Sequence, residues 1–132
     1  MRVILDTNFV LTCVKEKIDF ILVSEEVFSE KFDFFIPEEV LEELAKISKR
    51  KGEKTKDKEA AKLSLKIIES LEKKGEVNRI KVGEKDVDKG IVNYIKESYP
   101  EKFLLATMDK ALKKKAGTGI LTVRGKKGLE IV

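Results

Sequence analysis

The sequence predicts an α/β fold: three α/β/α layers with a central parallel sheet of five strands. Three observations predict it. Short apolar runs alternate with longer stretches of helical periodicity along the whole chain. One of those runs leads straight into Asp6 and another is followed by Asp109, and each aspartate precedes a helix. No internal repeat, low-complexity tract or long linker divides the 132 residues, so residues 1–132 read as a single domain of ordinary size. Strands that alternate with helices pair in parallel through right-handed crossovers, with helices on both faces.

The elements follow in order. Val3–Leu5 is a short buried strand, and the residues after Asp6 continue as a helix to about Val14. Ile18–Phe32 has the mixed apolar spacing of a second helix, and Phe32–Pro37 is a second strand. Pro37 starts the helix EEVLEELAKI, since proline is tolerated in a first turn. Gly52 marks an exposed connection. Lys58–Lys74 forms a long helix whose face is Ala60, Ala61, Ser64, Ile67, Ile68 and Leu71, stopped by Gly75. Val77–Val82 is a third strand, Asp86–Ser98 a helix, and Phe103–Thr107 a fourth strand. Asp109–Ala116 is a short helix and Ile120–Val123 a fifth strand. The tail Leu129–Val132 is placed to pair with a sheet edge.

Composition narrows the chemistry. The chain has no histidine, which excludes Ser-His-Asp and Cys-His catalysis and His-ligated zinc. The single cysteine, Cys13, lies in the run FVLTCV and reads as a small core hydrophobe, in keeping with a reducing cytoplasm. No apolar run is long enough to span a bilayer, and Asp6 and Asn8 break any signal-like start. Charged residues make up 39% of the chain, and the Lys/Glu-rich, Gln-free make-up is that of hyperthermophile proteomes. The net charge of +4 is uneven: 46–58 carries +5 and 110–127 carries +7, leaving −8 for the remainder. Two basic zones framing an acidic remainder point to a polyanion partner, although either zone alone reads equally as a solvated face.

The acids sort by position. Asp6 and Asp109 fall at the carboxyl ends of strands, where sites in such sheets lie, and each also suits a helix N-cap. Glu42 sits four residues from both Glu38 and Lys46, an outer ion-paired face. Glu43 sits beside Leu44 and four before Ile47, bordering the core. Asp86 suits a cap; Asp88 shares its side with Ile91, Val92 and Ile95 and also borders the core. Gly90, costly inside a helix, signals close approach of another element. Asp6, Glu43, Asp88 and Asp109 therefore point toward one place. Crowded carboxylates raise one another's pKa unless cations neutralise them. With oxygen donors alone, Mg²⁺ or Mn²⁺ is the logical occupant, and the chemistry is phosphodiester hydrolysis.

The motifs resemble those of the PIN domain family of metal-dependent ribonucleases. VILDTN is similar to the first motif, IPEEVLEEL to the second, VDKGIV to the third, LLATMDKAL to the fourth and ILTVRG to the closing strand. The likeness spans essentially the whole chain in motif order, and its flavour is that of archaeal rRNA-processing PIN proteins. It implies Asp6, Glu43, Asp88 and Asp109 as catalytic metal ligands, with Thr7, Asn8 and Thr107 as polar helpers. It implies the sheet order 3-2-1-4-5, RNA as the substrate, and admits a homodimer, an antitoxin or a ribosome-assembly protein as partner. Met108 and Lys89 depart from the family pattern, where a polar residue and a second acid are common.

The leading expectation is a Mg²⁺- or Mn²⁺-dependent endoribonuclease in RNA processing, with Arg50, Lys114 and Arg124 on phosphates. The alternatives are a non-catalytic RNA-binding module of the same fold and the toxin half of a toxin–antitoxin pair. A haloacid-dehalogenase-type phosphatase needs a second Asp where Asn8 stands, and no P-loop motif is present.

Overall fold

The computed structural model describes residues 1–52 and 54–132; Glu53, within the first basic zone, lies outside the described residues. Its strands are β1 (Arg2–Leu5), β2 (Asp33–Pro37), β3 (Val77–Ile80), β4 (Phe103–Ala106), β5 (Ile120–Arg124) and β6 (Gly128–Ile131). Its helices are α1 (Thr7–Lys15), α2 (Phe20–Phe28), α3 (Glu38–Lys49), α4 (Thr55–Lys73), α5 (Val87–Glu97) and α6 (Leu112–Ala116).

The sheet order is β3-β2-β1-β4-β5-β6. The first five strands are parallel in the expected order, and β6 adds a sixth, antiparallel to β5. The expected five-stranded sheet is thus a six-stranded one. The turn at Gly125, with φ +64°, folds the tail back on β5, and this covers an edge that would otherwise be open. Val3, Ile4 and Leu5 of β1 and Leu105 and Ala106 of β4 are fully buried, as strands sandwiched between helix layers must be.

Chain direction sets the site. From β1 the path moves outward through β2 to β3, carrying α1 to α4. It then crosses back to β4 and β5, carrying α5 and α6. Right-handed crossovers put these two groups on opposite faces; α1, α3 and α4 pack together, and α5 packs on α6. The reversal falls between β1 and β4, and a crevice opens at the carboxyl ends of strands at such a switch point.

Local chemistry explains the element limits. Asp19 starts α2 later than its periodicity suggests, its side chain accepting from Leu22 N at 3.1 Å. The helix ends early at left-handed Ser29, φ 49°, which frees Phe32 to stack on Phe28 at 5.4 Å. Phe9, Phe20, Phe34 and Phe32 continue as edge-to-face pairs under the sheet. Pro37 is the last residue of β2 rather than the first of α3. Cys13 is 1% exposed, and burial pushes its thiol up to about 12, so it is an inert core residue. Among the described residues, no helix is long and apolar enough to cross a membrane.

Candidate functional site

Asp6 ends β1 and caps α1. Its backbone N–H still bonds Ala106 O of β4 at 2.9 Å, so the residue is held in the sheet while its side chain turns over the edge. One carboxyl oxygen accepts from Thr7 N at 2.8 Å and the other from Thr107 Oγ1 at 2.8 Å. The residue is 3% exposed. Burial, then the charge of Asp88, then that of Glu43, raise its pKa from 3.8 to about 6 against the opposing hydrogen bonds of Thr107 and Thr7.

Asp88, in the first turn of α5, reaches the same place from the opposite side of the sheet edge. Burial of its carboxyl raises its pKa, as do the charges of Asp86, Asp109 and Glu43, while a hydrogen bond with Asp6 lowers it. As a whole the residue is exposed, which corrects its expected place on the core border: the start of α5 overhangs the crevice. Glu43 is half-buried midway along α3 and lines one cleft of about 350 Å³ with Asp6, Thr7, Asn8 and Asp88. Asp109 is exposed and lines an adjoining cleft of about 420 Å³ with Asp88 and Lys115. Asp88 thus stands between the two clefts, and all four acids border one acidic crevice at the switch point.

Thr107 ties the two central strands together. Its hydroxyl proton is shared between Asp6 Oδ2 and Asn8 Oδ1, at 2.8 and 3.1 Å, and its oxygen accepts from Asp109 N at 3.2 Å. Asn8 Oδ1 also accepts from Met108 N at 3.0 Å. Met108 therefore meets Asn8 through its backbone, a contact that its side chain does not alter. Thr7 differs: its Oγ1 is buried beside the crevice without a hydrogen-bond partner among the described residues. An orphaned hydroxyl of this kind calls for a ligand or water.

A hard cation fits this donor set, which is oxygen throughout. Among the described residues no three acids stand close enough together to hold a metal as they are. The Asp109 carboxyl accepts from Ala111 N at 3.0 Å, so bringing it to the other acids means giving up that bond.

Three further acids make structural bonds: Asp86, Glu39 and Glu38. Asp86 caps α5, accepting from Lys89 N at 3.2 Å. Glu39 accepts from Val82 N at 3.1 Å and Gly83 N at 2.9 Å, a tie between α3 and the end of β3 that the helical spacing does not signal. Partial burial raises its pKa, but the hydrogen bonds of Val82, its own backbone and Gly83, with the charge of Lys81, outweigh that and hold it low. Glu38 pairs with Lys81 across the sheet edge at 3.6 Å, and Glu42 forms no salt bridge among the described residues. The expected ion-paired face on α3 is therefore absent.

The basic residues divide likewise. Arg50 lines a cleft beside Glu43. Lys114 lines none of the three clefts that the four acids border, and Arg124 is turned to Glu130 at 3.8 Å. Lys85, Lys89, Lys96 and Lys115 line the clefts of Asp6, Asp88 and Asp109, where Lys114 and Arg124 do not. Lys89 and Lys96, seven apart on one face of α5, carry the periodic signal for this; the offset from Lys114 to Lys115 depends on how α6 is turned.

The chain is an α/β sandwich with acids gathered at the carboxyl ends of its two central strands. The sequence profile described as "PIN like domain" matches residues 3–126, and the chain belongs to that family. It is similar to a protein of Methanocaldococcus jannaschii named ribonuclease VapC4, with 32% identity over 133 residues, covering 98% of this chain and 95% of that one. The solved structure of the PIN domain endonuclease Utp24 superposes with a TM-score of 0.74 at 26% identity, covering 98% of this chain and 90% of that one.

Proposed function

We propose that residues 1–132 act as one unit, a Mg²⁺- or Mn²⁺-dependent endoribonuclease that hydrolyses RNA phosphodiester bonds at the crevice of Asp6, Glu43, Asp88 and Asp109. The observation that supports it most is Asp6: a buried carboxyl whose burial, with the charges of Asp88 and Glu43, raises its pKa to about 6. Burial of that kind is a cost to the fold unless a cation offsets it. The names of the two relatives, a ribonuclease and an endonuclease, agree with this reading.

In this reading Asp6, Glu43 and Asp88 hold the metal and Asp109 completes the set. The metal, when bound, activates water and stabilises the leaving oxygen. The chain's own part is positioning. Thr107 and Thr7 N–H fix the orientation of Asp6. Asn8 clamps the start of the Met108–Asp109 segment through Met108 N, which sets where the Asp109 carboxyl can reach. The unpartnered Thr7 hydroxyl is available to a water in the cleft.

The test is cleavage of a circular RNA, which only an endonuclease opens. Wild type is expected to linearise it with Mn²⁺ or Mg²⁺ and not with EDTA, while Asp6→Asn and Asp88→Asn lose the activity by at least a hundredfold. A wild-type protein that cuts no RNA with either metal, and shows no heat of Mn²⁺ binding, sinks the nuclease reading.

A further inference from the structure

The cleft of Asp88 and Asp109 does not end at the acids. It continues along α5 past Lys89 and Val92 to Lys96, with Lys115 of α6 across from it. Lys96 also lines a second cleft, of about 600 Å³, at the far end of α5, where Tyr99, Lys102 and Thr118 stand. Lys96 lines both clefts, so together they flank α5 from its first turn to beyond its last, a broken trough.

Its chemistry suits a single nucleic-acid strand. Among the described residues no salt bridge engages Lys89, Lys96, Lys102 or Lys115. The carboxylate in the second cleft, Glu101, is already paired with Arg2. Tyr99 is 80% exposed and its ring meets no other aromatic ring among the described residues. An exposed aromatic flanked by free lysines is the pairing that binds single strands, with phosphates on the cations and a base on the ring. The cleft on the opposite side of the acids is less suited. It sets Glu39, Glu42, Glu43 and Glu84 against Lys46, Arg50 and Lys85.

We propose that this trough is the track for the single-stranded RNA flanking the cleaved bond, with phosphates on Lys96 and Lys115 and a base stacked on Tyr99. The proposal rests on the ribonuclease reading for what happens at the acid end. The 11 residues of α5 span about 16 Å at 1.5 Å per residue. That is room for about five nucleotides at the stacked rise of 3.4 Å. Tyr99 then marks a minimum substrate length, since an RNA that ends short of it gains nothing from the ring.

The test reads binding and cleavage separately, on the full chain. Fluorescein-labelled oligoadenylates, a trinucleotide and a dodecanucleotide, are titrated in EDTA and followed by anisotropy. The same RNAs are then cut in Mn²⁺. Tyr99→Ala is expected to weaken dodecanucleotide binding about tenfold and to leave the trinucleotide unchanged, with Tyr99→Phe restoring wild-type affinity. Lys96→Ala with Lys115→Ala is expected to lower the slope of log affinity against log salt by roughly 1.4, two phosphate contacts' worth. Thermal melts confirm that each variant folds, and a variant that does not is replaced by Tyr99→Ser or Lys96→Gln with Lys115→Gln. If wild type cuts RNA and Tyr99→Ala binds the dodecanucleotide as wild type does, the track is wrong and the nuclease reading stands. If the length-dependent loss appears and no RNA is cut, the track stands and the nuclease reading falls. Wild type that binds neither RNA, even at low salt, overturns the track and leaves the trough to a protein partner.

Discussion

Asp6 shows how one residue holds a conflict in place. Its backbone completes the β1–β4 pairing, its side chain caps α1, and its charge is buried among other acids. The folded protein takes up a proton at Asp6 near pH 6, whereas an unfolded chain does so near 3.8. Stability from this residue is therefore fully present below pH 3.8 and is lost as pH rises through about 6. The difference corresponds to about 3 kcal/mol above pH 6. Asn fits the same site without the charge: its oxygen can accept from Thr7 N and its amide can donate to Thr107. We expect Asp6→Asn, in EDTA at pH 8, to melt higher than wild type by several degrees, at roughly 3 °C per kcal/mol. The gap should close as the pH falls to 4. An Asp6→Asn protein that melts lower at pH 8 would show that the wild-type carboxylate is not under this strain.

At the scale of elements, the start of α5 matters most, because it brings Asp88 over the sheet edge. Its seat is set by Gly90. A Cβ there would lie 2.7 Å from Val82 Cγ2 and 3.1 Å from Glu84 Cβ, on the segment that Glu39 also anchors through Val82 N and Gly83 N. Ala is the better helix former by about 1 kcal/mol, but Val82 is β-branched and cannot swing aside, and overpacking costs about 1–3 kcal/mol. Gly90→Ala is expected to destabilise by about 1 kcal/mol in urea unfolding and to lower RNA cleavage tenfold by lifting Asp88. Val82→Ala should recover most of the stability lost in Gly90→Ala, because it removes the clashing methyl. If the double variant is as unstable as the sum of the two single changes, the contact is not what seats the helix.

For the whole molecule, the crevice and the fold share one balance of charge. Four acids from distant parts of the chain line adjoining clefts near the switch point, so the folded state alone gathers them there. A divalent cation that binds there stabilises the fold by mass action, about 2.7 kcal/mol at a hundred times its Kd. Mn²⁺ at such an excess should raise the melting temperature at pH 7.5 by several degrees and do little at pH 5, where Asp6 is mostly protonated. Asp88→Asn should lose most of the shift. A shift of equal size at both pH values would mean that the cation binds elsewhere.

The sequence by itself determined the order of elements, the parallel pairing of the first five strands and the place of Asp6 at the end of β1, since apolar runs, caps and breakers act locally; Asp109 falls in the loop beyond β4, three residues past its last. It also marked Gly90 and Asp86 for what they do, because a helical glycine and an N-cap carry their own local reason. It left α2 too long, since Ser29 turning left-handed depends on Phe32 finding Phe28 and the core. It read Glu42 as ion-paired and passed over Glu39, because helical spacing shows which residues neighbour one another and not which loop lies opposite. It chose Lys114 and Arg124 from charge density, whereas Lys96 and Lys115 face the trough and Arg124 faces Glu130. Only the tertiary structure decided those points, together with the pKa of Asp6, because burial, crevice shape and the approach of Asp88 to Asp6 arise when distant parts of the chain pack.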